Sequence, residues 1–140
     1  MAVVLGSKPI QDTEEFQDYG IGITLPLRIA DVAFEQSYKT IDQVKTNIKS
    51  LLLSRQGERV MQPFLGSGLS SLVFDFNDEE LATKIEETIN ESIQRWLPFV
   101  NIANIVIEQP NELKDQNRVN VSLRFTVGDS SNLETVTFTA

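Results

Sequence analysis

The feature that most constrains this sequence is a run near its C terminus in which every second residue is apolar. The apolar positions are Val119, Val121, Leu123, Phe125 and Val127, and polar residues lie between them. Because successive side chains of a strand point to opposite faces, this run predicts a strand with one core face and one polar face. Residues 102–108 and 133–139 are also typical of strands, and polar loops separate them from the central run. The three segments predict an antiparallel meander, with Val136 and Phe138 on one side of its last strand.

An earlier segment has the period of a helix. Residues 41–54 place their apolar side chains on one face, namely Ile41, Val44, Ile48, Leu51 and Leu52. Thr40 and Gln43 have the spacing of a capping box at the start of this helix, and Gly57 is in a position to end it.

A second helix is predicted over residues 78–97. Asn77 can cap its start, and Pro98 cannot continue it. Its apolar stripe consists of Leu81, Ile85, Ile89, Ile93 and Trp96, and we interpret Trp96 as a core anchor.

These patterns predict an α+β fold in which two main helices pack on an antiparallel β-meander. The alternation over residues 21–29, interrupted by Pro26, indicates an extended segment at a sheet edge. Residues 6–18 contain a proline and several acids but few apolar residues, so we expect residues 1–18 to form a flexible N-terminal arm. Residues 19–140 are expected to form a single domain, because a chain of 140 residues has the ordinary size of one domain.

Composition excludes several classes of function. The formal net charge is −8, which makes nucleic acid a poor partner, and no segment has the length of a membrane span. Histidine and cysteine are both absent, so Ser-His and Cys-His nucleophiles and the usual zinc sites are excluded. The chemistries left open are a carboxylate pair, a carboxylate-bound hard metal or a lysine nucleophile. We expect no catalytic, cofactor or metal site.

The segment between the two helices carries adjacent opposite charges, a proline and three glycines. Gly66 and Gly68 are expected to allow positive φ or close backbone approach, followed by a helical turn through Leu69, Leu72 and Val73. A phosphate cradle is disfavoured, because the segment lacks a preceding strand and a following Lys-Ser/Thr pair.

The same segment resembles a known family. The run NIKSLLLSRQGERVMQP over residues 47–63, followed by GSGL over residues 66–69, is similar to the signature of the baseplate wedge proteins of contractile-tailed phages. That family is of the T-even gene-twenty-five type, is also called tail-lysozyme-like, and has relatives in type VI secretion baseplates. The matching residues are Gly57, Glu58, Arg59, Met61, Pro63, Gly66, Gly68 and Leu69.

This chain departs from the family pattern at two places. Phe64 and Leu65 stand where the family usually has a polar residue and then an aromatic one. Leu97, Pro98 and Phe99 replace the Glu-Pro-Arg motif of the secretion-system relatives, so any role of those charges does not transfer.

The resemblance implies a structural subunit of the virion, made in the host cytoplasm and present in multiple copies per baseplate. Its implied partners are other wedge proteins and the tail sheath subunit, which would begin assembly by adding β-strands to an edge such as that carrying Val136 and Phe138. Glu58 and Arg59 form either a buried or half-buried pair that fixes the loop or a direct partner contact. The alternative function, suggested by the lysozyme label, is a cell-wall-degrading enzyme of the tail.

Overall fold

A computed structural model describes residues 19–25, 35–72, 80–108, 118–129 and 131–140. Its elements in chain order are β1 (Gly22–Ile23), β2 (Gln36–Ser37), α1 (Thr40–Leu53), α2 (Leu69–Leu72), α3 (Glu80–Trp96), β3 (Val100–Glu108), β4 (Asn120–Val127) and β5 (Glu134–Thr139). The predicted α+β class is confirmed. The expected arm, residues 1–18, lies outside the described residues.

The C-terminal half forms the predicted antiparallel meander, with β4 between β3 and β5. Val121 pairs with Ile107 on one side and with Phe138 on the other. The pairing of β4 with β5 is regular, whereas the pairing of β3 with β4 is shifted between Ile102 and Asn104. The shift leaves Ala103 as the extra residue of a bulge in β3.

The core lies between the helices and one face of this sheet. All five alternating residues of the central run, from Val119 to Val127, are buried there, and so are the predicted apolar residues of α1. In α3, the four aliphatic residues of the stripe are buried, and Trp96 packs against the core from a half-buried position. Burial of each such side chain contributes about 1.5 to 3 kcal/mol of transfer free energy, so the two stripes and the sheet face are what stabilise the fold.

The residues that cap the two ends of α1 differ from the sequence-based expectation. Lys39 is the N-cap residue and makes no side-chain capping bond, so the capping box of Thr40 and Gln43 is wrong. The Gln43 side chain is used elsewhere: its Oε1 accepts the Ser37 hydroxyl at 2.7 Å, and its Nε2 donates to Asn47 Oδ1. The first bond attaches β2 to α1, and the second holds the Gln43 side chain against the same helix.

The last helical residue is Leu53 and the C-cap is Ser54, so the predicted end near residue 54 is confirmed, whereas the predicted role of Gly57 in ending the helix is wrong. Ser54 has an extended backbone, and both its amide and its hydroxyl donate to the Ser50 carbonyl oxygen, at 3.1 and 2.6 Å. These two hydrogen bonds satisfy a carbonyl group of the last helical turn without a glycine cap, so Gly57 belongs to the loop that follows the helix.

The boundaries of α3 agree with the prediction at its C-terminal end. The last helical residue is Trp96, and Pro98 follows two residues later. The predicted cap, Asn77, lies outside the described residues.

The N-terminal described segment pairs with the residues just before α1. β1 and β2 form a separate two-stranded antiparallel sheet in which Gly22 faces Ser37. The expected extended segment is therefore present at Gly22–Ile23, and Pro26 to Ile29 are outside the described residues. Within the described ranges, no helix has the length and apolar character needed to cross a membrane.

Candidate functional site

The loop from residue 54 to residue 68, which connects α1 to α2, is held in shape by its own backbone. The Gly57 amide donates to the Pro63 carbonyl oxygen at 2.7 Å, which closes the neck of the loop. Within the closed segment, the Gln62 amide donates to the Arg59 carbonyl oxygen. Just beyond it, the Leu65 amide donates to the Gln62 carbonyl oxygen. We call this segment the connecting loop. Its hydrogen bonds make it a defined surface feature rather than a slack linker.

The end of the connecting loop lies directly against the end of α1. Gly66 has φ of 125°, and a Cβ atom there would lie 2.6 Å from the Ser54 carbonyl oxygen. Gly68 shows no such demand, since its nearest neighbours would be at 3.8 Å, an ordinary contact. The expected need for a glycine is thus confirmed at Gly66 and wrong at Gly68, because only Gly66 passes close to another backbone.

Ser67 fixes the two helices to each other. It is 2% exposed, and its hydroxyl donates to the Leu52 carbonyl oxygen at 2.5 Å, while its amide donates to Ser54. Leu69, the first residue of α2, is buried in the core immediately beyond. The predicted helical turn through Leu69 and Leu72 is confirmed, and Val73 is outside the described residues.

Glu58 and Arg59 are both exposed, so the expectation of a buried or half-buried pair is wrong. Among the residues that the structure describes, they form no ion pair with each other. The Glu58 carboxylate instead accepts the Arg55 amide at 3.0 Å, and the Glu58 amide donates to the Arg55 carbonyl oxygen. Glu58 stabilises the loop through the backbone, and the guanidinium of Arg59 is left at the surface.

The outer end of the connecting loop presents large apolar side chains to solvent. Val60 is 93% exposed, Met61 92% and Phe64 70%. We call these three residues the loop tip. Beside it, Arg59 and Leu65 line a cavity of about 250 Å³ whose far wall is Trp96 and Leu97, at the end of α3.

The last strand presents a different kind of surface. Val136 and Phe138 are buried, at 3% and 7% exposure, so they hold β5 to the core and offer no side chain to a partner. In the described part of the chain, no strand pairs with the edge of β5 that faces away from β4. The feature available at this strand is its backbone.

Comparison with protein families identifies the chain. The sequence profile of the baseplate wedge protein gp25 family matches residues 39–132, which is well over half of the chain and includes the connecting loop. This chain belongs to that family. Comparison with curated protein sequences gives no significant match.

Solved structures with the same fold also include baseplate components. A Geobacter sulfurreducens protein named as a tail lysozyme aligns with a TM-score of 0.66 and 20% identity, over 76% of this chain and 94% of that one. A chain of the anti-feeding prophage baseplate aligns with a TM-score of 0.55 and 20% identity, over 84% of this chain and 81% of that one. A chain of the type VI secretion system baseplate complex gives 0.52 and 17%, over 71% and 91%. At these identities the likeness concerns the fold.

Two surface features of this wedge-family chain escape the sequence patterns. Val60 is as exposed as Met61, and Phe64 is also largely exposed, but the sequence patterns did not predict that these side chains would face solvent. A signal existed, since apolar residues in a glycine- and proline-rich loop follow neither the helical nor the strand period and so have no core face to occupy. The edge position of the last strand was predicted from the meander and the family resemblance, but the residues of β5 that direct their backbone groups outward are set by the register of the folded sheet.

Proposed function

We propose that this wedge-family chain is a structural subunit of a contractile-tail baseplate, and that the open edge of β5 is the template on which the first sheath strands assemble. Its partners are the other wedge proteins and the sheath subunit, with multiple copies in each virion baseplate after synthesis in the host cytoplasm. The observation that carries the proposal is the regular edge of β5, with which no strand of the described residues pairs, in a member of a baseplate wedge family.

The register of β5 identifies the backbone groups at this edge. Val119 and Ala140 exchange both of their backbone hydrogen bonds, at 3.1 and 3.0 Å. Bonded and non-bonded pairs alternate along an antiparallel ladder, so Phe138 and Val136 also bond to β4. Thr135, Thr137 and Thr139 then direct their amides and carbonyls away from β4, where an added strand can pair with them.

The opposite edge of the sheet is a poorer template. β3 carries the bulge at Ala103, which interrupts the regular spacing of backbone groups and twists the strand locally. Bulged edges resist pairing with another chain, whereas β5 keeps an uninterrupted register from Glu134 to Thr139.

β5 is also held rigidly in position. Val136 and Phe138 anchor it in the core, and the Lys45 ammonium lies 2.6 Å from the Glu134 carboxylate, which ties the start of the strand to α1. A template that is already ordered loses little conformational entropy when a strand is added.

No observation favours the lysozyme alternative. A glycosidase needs two carboxylates at about 5 to 9.5 Å, one of them an acid kept protonated by an apolar environment. Glu58, the only acid in the connecting loop, is exposed and accepts a backbone amide. The lysozyme name belongs to a relative of low identity and does not supply this geometry.

The edge can be tested without removing the strand. In a Thr135→Pro, Thr137→Pro double variant, proline removes two outward amides while the bonds of Val136 and Phe138 to β4 stay available. We expect the variant to enter baseplates in normal amount but to start sheaths on fewer than about one tenth of them, since each lost edge bond costs about 1 kcal/mol and proline also blocks close approach. Sheath-bearing tails are counted by electron microscopy.

Thr135→Ser, Thr137→Ser is the matched control, because it changes the same side chains and keeps both amides. Normal sheaths on baseplates that contain the proline variant would rule out strand addition at β5. Unfolding of the isolated proline variant is checked by circular dichroism, and Thr135→Pro alone then replaces the double variant.

A further inference from the structure

The loop tip is an apolar surface that the fold itself does not use. Val60, Met61 and Phe64 are exposed at 93%, 92% and 70%, and none of them belongs to the core cluster or packs against it. Single exposed apolar residues are common, but three large ones within five positions concentrate apolar surface in one loop, as interaction sites do. We infer that the loop tip is a preformed docking knob that inserts into an apolar pocket with an acidic rim on another baseplate protein. This inference rests on the proposed assembly role.

The backbone of the connecting loop is ordered before any partner binds. The bond from Gly57 to Pro63 closes the neck, and the bond from Gln62 to Arg59 sets the turn that carries Val60 and Met61. Behind the neck, Ser67 is bonded to Leu52 and Ser54 in the buried junction between α1 and α2. Since the loop backbone is already ordered, little backbone entropy is lost on docking.

The charge around the knob specifies the rim of the partner's pocket. The chain carries a net charge of −8, but Arg59 is exposed beside Val60 and also lines the cavity next to the loop. The adjacent acid, Glu58, has its carboxylate on the Arg55 amide, and Arg55 lines a different cavity. The Arg59 cation at the tip complements a carboxylate on the partner, and complementary charge fixes the register of an interface and suppresses wrong partners.

The cavity beside the knob extends the same surface. Leu51, Leu65, Trp96 and Leu97 supply its apolar walls, and Arg59 lies at the side shared with the loop. A volume of about 250 Å³ accommodates one large side chain of the partner. The interface therefore interdigitates in both directions: the knob enters the partner's pocket, and an apolar residue of the partner enters the cavity.

The experiment uses the other wedge proteins of the same tail, co-expressed with this chain, and measures its incorporation into the purified wedge. We expect Met61→Ser, Phe64→Ser to reduce affinity for the wedge at least about tenfold, as loss of a central apolar anchor does. Its urea unfolding midpoint should stay unchanged, because the substituted side chains make no core contact. Tyr19→Ser is the matched control, since Tyr19 is 69% exposed and lies outside the connecting loop.

A second pair of variants tests the acidic rim. Arg59→Glu should weaken incorporation at least as strongly as the apolar double variant, and Arg59→Lys should retain most of it. Incorporation of the natural chain should also weaken as the salt concentration rises, and Arg59→Gln should show a smaller salt dependence.

Several results would overturn the inference. One is normal incorporation of the Met61, Phe64 variant, and another is a lowered unfolding midpoint in both that variant and Val60→Ser, which would show a role inside the fold. Tip-dependent self-association of the isolated chain in sedimentation would assign the tip to a second copy. Tip-dependent binding to phosphatidylglycerol vesicles would assign it to a lipid surface.

The outcomes also separate this inference from strand addition. Tip variants should fail at entry into the wedge, whereas the Thr135, Thr137 proline variant should enter the wedge and fail at the first sheath ring. Failure of one step with success of the other identifies which surface has been wrongly assigned.

Discussion

At the scale of single residues, two nearby glycines differ in the space available for a side chain. Gly66 combines φ of 125° with a backbone carbonyl 2.6 Å from the place where a Cβ would stand. Gly68, the residue before α2, has ordinary space around it. The difference arises because the chain turns back on the end of α1 at Gly66, where Ser67 is hydrogen-bonded into the buried junction.

Substitution of these two glycines should therefore differ in cost. Gly66→Ala is expected to lower the free energy of unfolding by about 2 to 3 kcal/mol, because it adds a strained φ and a clash with the Ser54 carbonyl oxygen. Gly68→Ala is expected to change it by less than about 0.5 kcal/mol. Urea denaturation followed by circular dichroism measures both, and equal costs would contradict the assignment of the close approach to Gly66.

At the scale of elements, β5 depends on a helix far from it in sequence. Lys45 in α1 and Glu134 at the start of β5 form an ion pair of 2.6 Å, with side chains 29% and 26% exposed. The rest of the attachment is apolar, through the buried Val136 and Phe138. The apolar contacts supply most of the stability of this attachment, and the ion pair aligns the start of β5.

We expect this ion pair to contribute only about 0.5 to 1 kcal/mol, since both groups remain partly solvated. A double-mutant cycle with Lys45→Met and Glu134→Gln measures the coupling free energy. Lys49→Met, one turn along the same helix, is the matched control and should show almost no coupling to Glu134→Gln. A coupling energy well above about 1 kcal/mol would contradict a partly solvated pair.

At the scale of the whole molecule, the acidic residues of the described ranges lie on several separate elements of the surface. Glu86, Glu87 and Glu91 are exposed on α3, and Glu58 is exposed in the connecting loop. In the described ranges, no group of three or more acidic residues is placed to hold a metal ion. The molecule as described consists of one core and two outward features, the β5 edge and the loop tip.

A structural subunit of this kind should not cleave peptidoglycan. We expect purified chain to release no more soluble fragments from cell walls than buffer does, and Glu58→Gln to behave in the same way. Hen lysozyme serves as the positive control for the substrate. Fragment release by the chain that disappears in Glu58→Gln would establish the enzyme and refute the structural assignment.

The sequence by itself determined the main elements of this protein. A period of two over residues 119–127 and a period of three to four in α1 and α3 report which side chains avoid water, and those side chains are the buried ones. The glycine- and arginine-containing run between the helices also indicated the family that the profile match identifies. Such signals are local, so neighbouring residues suffice to read them.

Tertiary structure decided the functional surfaces. Gln43 bonds to Ser37 rather than capping α1, and Glu58 accepts the Arg55 amide rather than pairing with Arg59, because the folded backbone brings those groups within hydrogen-bonding distance. The edge of β5, which pairs with no other described strand, and the exposure of the loop tip depend on which elements lie beside them, and that is a property of long-range packing. Periodicity identifies the side of a segment that is buried, but only the assembled fold shows which backbone groups and apolar side chains remain for a partner.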